Sequence, residues 1–205
     1  MTTVYLVRHS EPFKVHCGIE ETNEDILFSN IKSPLSVDGE KMSEKKSKDK
    51  EFDNIDVIWS SNYVRGISTA KYFAHRNNIK VNISQFLGER KHGIKSWDEL
   101  PSDFEKHQFQ DENYKLGDGE SQKEVRKRMY DKLITIINEN KGKRILVVSH
   151  STAIAFLLSN WCEVSYDSDY RFNNKIFFDG KWNYLQTFKL TFDDNNNLIE
   201  IKTIK

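Results

Sequence analysis

Three short apolar runs, each ended by polar residues, constrain the fold of this 205-residue chain more than any other feature. The runs are TVYLV at 3–7, IDVIWSS at 55–61 and KRILVVSH at 143–150. Their near-continuous apolar character is typical of parallel strands that are buried on both faces. Because helical patterns lie between them, their order predicts βαβ crossovers and a mostly parallel sheet.

Two helical segments are predicted from their patterns, VRGISTAKYFAHRNN at 64–78 and SQKEVRKRMYDKLITIINEN at 121–140. In the second, Ser121 and Glu124 form a capping box, and four apolar residues recur at helical spacing: Val125, Met129, Leu133 and Ile136. The β-rich runs of 175–204, separated by a D-G turn and a second polar turn, predict antiparallel strands at one edge. We therefore expect one α/β domain over residues 1–205, with helices on both faces of a mostly parallel central sheet and an antiparallel edge.

Composition excludes several classes of function. The chain has 31 Lys and Arg and 31 Asp and Glu, so it has no global positive field, and nucleic acid is a poor candidate partner. Cys17 and Cys162 are its two cysteines, and their lack of paired spacing argues against a disulfide scaffold and a structural zinc site. We find neither a leader-like pattern nor an apolar run approaching the roughly 20 residues of a membrane span. We expect a soluble, cytoplasmic protein without a membrane partner.

Polar side chains follow all three predicted parallel strands. Because the carboxyl ends of such strands meet at one edge of the sheet, where ligands bind, we expect these side chains to lie together. Two arginines and two histidines would make a small cationic site there. Such a site suits a phosphoryl group, since guanidinium groups match phosphate oxygens bidentately. The residues are Arg8 and His9, Ser60 and Ser61 with Arg65, and Ser149 and His150.

Six segments, in chain order, resemble the landmarks of one enzyme family: LVRHSEP at 6–12, SPLSVDGEKMS at 33–43, SSNYVRGISTAKYFA at 60–74, LGERKHG at 87–93, GES at 119–121 and VVSHS at 147–151. They are similar to the RHG, PLT-x-x-G, S-x-x-x-R-x-x-x-TA, L-x-E-x-x-x-G, GES and VVSHG motifs of the histidine phosphatase superfamily, the phosphoglycerate mutase-like family. The likeness extends to about Ile154 and implies the phosphoglycerate mutase-like fold. Ser10 and Ser151 stand where the family usually has glycine.

The resemblance implies a mechanism without a metal or other cofactor. His9 would be the nucleophile that forms a phosphohistidine, and Glu89 would protonate the leaving oxygen and then activate water. Arg8, Arg65 and His150 would hold the phosphate oxygens, and the hydroxyls of Ser10 and Ser151 would lie beside them. Glu11 and Glu99 are the alternative acids. Two weaker interpretations remain: a metal site formed by His9, Glu11 and His150, and a catalytic rather than structural Arg128.

Within the family the sequence favours a phosphatase. Only about thirty residues separate Glu89 from Gly119, and this segment lacks the longer insertion that the resemblance would lead us to expect for the lid of a mutase. The expected activity is therefore that of a histidine acid phosphatase-like phosphoric monoester hydrolase acting on a small phosphorylated metabolite. The alternatives are a phosphoglycerate mutase-type phosphotransferase and a non-catalytic module that binds phosphorylated ligands.

Two segments are expected to recognise the rest of the substrate. One is the loop after Pro12, which contains His16 and Cys17; His92 is a further residue that could edge the pocket. The other is a capping segment at about 94–118, whose aromatic residues either enclose an organic group or pack within the segment. These aromatic residues are Trp97, Phe104, Phe109 and Tyr114.

Overall fold

The computed structural model describes residues 1–13 and 30–204. Its strands are β1 Thr2–Arg8, β2 Val57–Ser61, β3 Val81–Ser84, β4 Arg144–Ser149, β5 Tyr170–Phe172, β6 Lys175–Phe178, β7 Thr187–Phe192 and β8 Leu198–Ile204. The main sheet has six strands in the order β3-β2-β4-β1-β7-β8. Strands β3, β2, β4 and β1 pair in parallel, whereas β7 is antiparallel to both β1 and β8. The predicted mostly parallel sheet with an antiparallel edge is confirmed.

The helices pack on both faces of this sheet. The described part of the chain contains α1 Val37–Ser47, α2 Val64–Asn77, α3 Phe104–Gln110, α4 Gln122–Glu139 and α5 Ser151–Leu158. Side chains of β1 alternate between the two faces, because successive strand residues point to opposite sides. Val4 and Leu6 pack in the core with α4 and α5, whereas Tyr5 and Val7 pack in the core with α2. None of the described helices is long and apolar enough to cross a membrane.

The two predicted helical segments correspond to α2 and α4. Helix α4 begins with the predicted capping box, in which the Ser121 side chain accepts from the Glu124 amide and the Glu124 side chain accepts from the Ser121 amide. The four apolar residues chosen from its helical spacing are all fully buried. A single apolar stripe therefore orients α4 against the sheet.

The C-terminal part departs from the prediction in one element. Residues 187–204 form the expected antiparallel edge, but β6 pairs with β5 in a separate two-stranded sheet. Strand β7 has β1 on one side and β8 on the other, and β8 ends the six-stranded sheet without pairing with β6. The D-G turn leads out of β6 through Gly180, whose φ of +78° favours glycine. A Cβ at Gly180 would lie 2.4 Å from the Ser168 carbonyl oxygen.

Candidate active site

The carboxyl ends of β1, β2 and β4 bring the predicted residues to one edge of the sheet. Arg8 is the register partner of Ser149, and the His9 amide donates to the Ser149 carbonyl oxygen at 2.9 Å. His9 and His150 therefore emerge side by side from neighbouring parallel strands, with ring centroids 5.0 Å apart. Arg65 reaches them from the first turn of α2, the helix that follows β2.

His9 is buried and held in one tautomer by its two hydrogen bonds. Its Nδ1 lies 2.7 Å from the Ser10 carbonyl oxygen, which can only accept, so Nδ1 carries the proton. Its Nε2 then has a lone pair, which accepts from Arg65 Nε at 3.1 Å. Burial, and then the charge of Arg65, lowers the pKa of His9 to about 3. His9 is thus a neutral imidazole whose unprotonated nitrogen faces a guanidinium group.

Arg65 is the central cation of the site. Its Nη2 lies 3.3 Å from His150 Nδ1 and 3.1 Å from Asn30 Oδ1, and its Nη1 donates to the Asn30 carbonyl oxygen. The guanidinium carbon lies 4.7 Å from the centroid of the Tyr63 ring. Burial lowers the pKa of Arg65, an effect that the negative charge of Glu89 opposes. The guanidinium is therefore fixed by partners on several elements.

His150 completes the pair of neutral imidazoles. Because a guanidinium group has no acceptor, His150 Nδ1 accepts from Arg65, and Nε2–H donates to Ser61 Oγ at 2.9 Å. Tyr63 packs edge-on against the imidazole with ring centroids 4.5 Å apart. Complete burial, followed by the charge of Arg65, lowers the pKa of His150 well below its usual range.

Arg8 lies on the other side of His9, against the loop between β6 and β7. Its Nη1 donates to the Trp182 carbonyl oxygen at 3.2 Å, and its guanidinium carbon lies 4.8 Å from the centroid of the Tyr184 ring. Burial lowers its pKa, whereas the Tyr184 and Glu89 groups act to raise it. The buried Arg8 Nε has no hydrogen-bond partner among the residues that the structure describes. Arg8 thus retains donor capacity for an anion.

Glu89 enters from the loop after β3 and meets the start of α5. Its Oε1 accepts from the Ala153 amide and from the Arg90 amide, both at 2.9 Å. Ala153 is the third residue of α5, so the Glu89 carboxyl group lies at a helix N-terminus. Ser149 Oγ ties the same loop to β4 by donating to the Leu87 carbonyl oxygen at 2.7 Å.

Arg128 supports this loop from α4. It donates to the carbonyl oxygens of Phe86, Gly88 and Glu89 at 2.9 to 3.1 Å. It also pairs with the Glu120 carboxylate through Nε at 2.6 Å and Nη2 at 2.9 Å. These contacts give Arg128 a positioning role, since it fixes the backbone that carries Glu89.

The two serines have different surroundings. Ser10 is fully buried; its hydroxyl donates to the Gly39 carbonyl oxygen at 2.8 Å, and its amide donates to Thr69 Oγ1 at 3.0 Å. Ser151 is the first residue of α5 and lines a cavity beside Arg8. Neither serine has a positive φ, so the backbone at these positions does not require glycine.

The alternative carboxylates have other partners. Glu11 Oε2 accepts from the Ser36 hydroxyl at 3.0 Å, and Glu99 Oε2 accepts from the Lys95 amide at 3.0 Å. Among the described residues, no three His, Cys, Asp or Glu side chains are grouped so that they could hold a metal ion. Two residues of the expected substrate loop, His16 and Cys17, lie outside the described residues.

The expected capping segment packs near the site through two of its aromatic residues. Phe104 is buried against the guanidinium of Arg90, and Phe109 packs against Phe156 of α5 and Tyr166. Arg90 donates to Gln108 at 2.8 Å and to Glu105 at 2.6 Å, which fastens α3 to the Glu89 loop. Its neighbour His92 packs edge-on against Trp97, and burial lowers the pKa of His92 to about 4.

Four residues at the site were not found by sequence reasoning: Asn30, Tyr63, Trp182 and Tyr184. The sequence could have identified Tyr63 as a site residue, because it lies two residues before Arg65, between the end of β2 and the start of α2. Trp182 and Tyr184 belong to an aromatic loop far along the chain, and only the folded structure shows that this loop returns to β1. No pattern in the sequence singles out Asn30.

Comparison with known proteins identifies the family of this chain from its sequence. The sequence model of the histidine phosphatase superfamily (branch 1) matches residues 4–183. No curated protein sequence matches the chain. Among solved structures, a phosphoserine phosphatase mutant from Entamoeba histolytica in complex with phosphoserine has a TM-score of 0.66 at 19% identity, covering 98% of this chain and 97% of that one.

Two further solved structures share the fold. A mycobacterial glucosyl-3-phosphoglycerate phosphatase in complex with inorganic phosphate has a TM-score of 0.70 at 14% identity, covering 99% of this chain and 95% of that one. A putative α-ribazole-5'-phosphate phosphatase from Escherichia coli has a TM-score of 0.65 at 17% identity, covering 98% and 96%. At these identities the likeness establishes the fold.

Proposed function

Because the chain belongs to the histidine phosphatase superfamily (branch 1), we propose that it is a metal-independent phosphoric monoester hydrolase of the histidine acid phosphatase-like type. Its substrate is a small phosphorylated metabolite. The observation that carries this proposal is the neutral His9, whose Nε2 lone pair faces Arg65 beside His150. An imidazole without a proton on Nε2 is the form that attacks phosphorus, and the neighbouring cation meets the charge of the phosphoryl oxygens.

The first step transfers the phosphoryl group to His9. A phosphate on Arg65 takes over the guanidinium N–H groups, which frees the His9 lone pair for in-line attack on phosphorus. The Nε2–P bond forms as the ester P–O bond breaks, and the leaving oxygen takes a proton from the Glu89 carboxyl group. The Nδ1 proton donated to the Ser10 carbonyl oxygen holds the ring in orientation throughout.

The second step hydrolyses the phosphohistidine. The Glu89 carboxylate takes a proton from water as the water oxygen attacks phosphorus, the N–P bond breaks, and inorganic phosphate leaves. Glu89 ends this step protonated, as it began the first. The amides of Arg90 and Ala153 fix Oε1 of Glu89, so the same carboxyl group is available in both steps.

Arg8, Arg65 and His150 are proposed to bind the phosphate oxygens, with Ser151 adding a hydroxyl at the start of α5. Arg8 and Arg65 contribute preorganised donors, which stabilise the negative charge spread over the equatorial oxygens in the transition state. His150 becomes a donor when the dianionic phosphate displaces Arg65 from Nδ1 and that nitrogen takes up a proton. Ser10 contributes differently, because its hydroxyl is directed to Gly39 and its backbone carbonyl to His9. Its proposed role is to position the nucleophile at the edge of the phosphate site.

Hydrolysis is preferred to phosphoglycerate mutase-type transfer and to simple phospho-ligand binding. The proposed site has a nucleophile, His9, and a carboxyl group to activate water, Glu89, and a binding module needs neither. The solved structures that share the fold include a phosphoserine phosphatase and a glucosyl-3-phosphoglycerate phosphatase, and their names support the same choice. A mutase would show isomerisation of phosphoglycerate that rises when a bisphosphate cofactor is added.

The test measures phosphate release from p-nitrophenyl phosphate and from a panel of phosphorylated metabolites in the presence of a chelator. We expect turnover, and label from a radioactive phosphoester retained on the protein after quenching without acid. His9→Ala should abolish both, whereas His75→Ala, which replaces an exposed histidine of α2, should abolish neither. Loss of activity in the chelator with recovery on adding a divalent ion would contradict metal independence.

A further inference from the structure

A cavity of about 260 Å³ lies directly beside Arg8 and Ser151, between α3, α5 and the segment around β5. Its wall combines aromatic rings with two carboxylates, contributed by Glu105, Phe109, Tyr166, Asp167, Tyr170 and Trp182. A volume of this size holds several heavy atoms, since one water molecule in the liquid occupies about 30 Å³. The cavity therefore has room for the organic part of a small phosphoester whose phosphate is bound by Arg8.

The four aromatic residues of the cavity wall form two pairs. Phe109 and Tyr166 have ring centroids 5.9 Å apart, and Tyr170 and Trp182 have ring centroids 6.3 Å apart. Trp182 Nε1 also donates to the Tyr170 hydroxyl at 3.3 Å, which fixes both rings. Aromatic faces carry negative charge density and attract organic cations, ammonium groups in particular.

Both carboxylates act on this wall. The charge of Asp167 raises the pKa of Tyr166, and burial and the charge of Glu105 raise it further. Burial raises the pKa of Tyr170 to about 12; the hydrogen bond with Trp182 opposes this shift, and the charges of Asp167 and Glu105 increase it. Glu105 also pairs with Arg90 at 2.6 Å, outside the cavity wall. The cation within the wall is Arg8, the residue proposed to bind the dianionic phosphate. When the phosphate neutralises Arg8, the groups left to contact the rest of the substrate are the carboxylates and the aromatic rings of the cavity wall.

We infer that this cavity binds the ammonium group of the substrate, so that the substrates are phosphomonoesters of small amino alcohols. The inference rests on the proposed phosphatase function. Arg8 lies at the junction of the phosphate site and the cavity, so a short carbon chain connects the phosphate to an ammonium group against the rings and carboxylates. A substrate with its own carboxylate would meet repulsion from Asp167, whereas Arg90 already compensates the charge of Glu105.

The experiment compares phosphocholine with its counterpart 3,3-dimethylbutyl phosphate, which has the same shape and phosphate group but a neutral tert-butyl group in place of the trimethylammonium group. We expect kcat/KM to be about 10-fold or more higher for phosphocholine, which is the scale of one desolvated cation contact. Phosphoethanolamine should likewise exceed phosphoserine, which carries an additional carboxylate. Equal kcat/KM for phosphocholine and its neutral counterpart would overturn the inference.

The matched variants are Asp167→Asn and Asp169→Asn. Asp167 has a φ of +46°, a conformation that asparagine also tolerates, so the loop should keep its shape. Asp167→Asn should lower kcat/KM for phosphocholine about 10-fold and leave the value for 3,3-dimethylbutyl phosphate unchanged. Asp169→Asn, at an acidic residue that pairs with Arg171 and does not line the cavity, should change neither.

The inference and the proposed function fail in different ways. Turnover of p-nitrophenyl phosphate and of 3,3-dimethylbutyl phosphate, without preference for phosphocholine, overturns the ammonium site alone. Absence of phosphate release from every substrate, p-nitrophenyl phosphate included, overturns the hydrolase function and the inference with it. Equal losses for the charged and neutral substrates in Asp167→Asn would give Asp167 a structural role and overturn its assignment to the ammonium site.

Discussion

Arg65 Nε lies 3.1 Å from His9 Nε2, so a guanidinium donor occupies the lone pair of the proposed nucleophile. The same guanidinium group lies 3.3 Å from His150 Nδ1. One cation thus joins two buried imidazoles, and its charge adds to the larger effect of burial in keeping both neutral. Phosphate is expected to bind at Arg65, because phosphate oxygens would replace the two imidazole nitrogens as acceptors of the guanidinium N–H groups.

Removal of this cation should reduce catalysis far more than it reduces folding. Arg65→Ala is expected to lower kcat/KM by roughly 10²-fold or more, the scale for loss of a preorganised charge donor. Inhibition by phosphate and vanadate should weaken in parallel. Arg76→Ala is the matched control, since Arg76 lies on the same helix and pairs with Asp53 at the surface. Unchanged inhibition constants in Arg65→Ala would place the phosphate elsewhere.

The buried neutral His9 should make the protein less stable in mild acid. Its pKa of about 3 in the folded protein lies below the usual value of 6.5, so between these pH values only the unfolded chain takes up the proton. The free energy of unfolding therefore falls as pH falls below 6.5, and His9 accounts for about 2 kcal/mol of the loss between pH 7 and 5.

Urea unfolding at pH 7 and pH 5 measures this effect. His9→Asn should lose less stability over that interval than the unsubstituted protein, whatever its absolute stability at pH 7. His75→Asn replaces an exposed histidine and should retain the original pH dependence. An identical loss in His9→Asn and the unsubstituted protein would show that His9 does not remain neutral at pH 5.

Glu89→Gln should impair hydrolysis according to the leaving group. A general acid helps most where the leaving oxygen is most basic, so turnover of alkyl phosphates should fall steeply. p-Nitrophenyl phosphate should still phosphorylate His9, and only the later attack of water should slow, which gives a burst of nitrophenolate. Rapid-mixing kinetics with both substrates checks this. Equal losses would indicate that Glu89 only holds its loop, and Glu11 or Glu99 would then be the candidate acid.

Arg128→Ala should reproduce the Glu89 defect in weaker form. Arg128 holds the carbonyl oxygens of Gly88 and Glu89 and does not itself reach the phosphate site in the described contacts. We expect kcat to fall about 10-fold for alkyl phosphates and less for p-nitrophenyl phosphate, because a misplaced acid matters most for poor leaving groups. Lys127→Ala, which removes an exposed charge paired with Asp131, should leave both rates unchanged. Equal reduction for the two substrates would contradict a positioning role.

The sequence by itself determined strands β1, β2 and β4, the antiparallel edge, and two of the five described helices, α2 and α4. The apolar strand runs, the capping box at Ser121 and the buried stripe of α4 are local patterns, and each specifies its element without distant contacts. The parallel order of the strands also predicted that His9, Arg65 and His150 would meet, since parallel strand tips share one edge.

Tertiary structure decided what surrounds these groups. Strand β6 pairs with β5 outside the main sheet, and the loop after β6 brings Trp182 and Tyr184 back to Arg8. The Nε2 lone pair of His9 meets Arg65, which lies 56 residues away in sequence. Such contacts join segments that lie far apart along the chain, and no repeating pattern in the sequence relates one segment to the other. Propensity and pattern describe only neighbours along the chain, so the cavity beside Arg8 and the neutrality of both histidines required the folded structure.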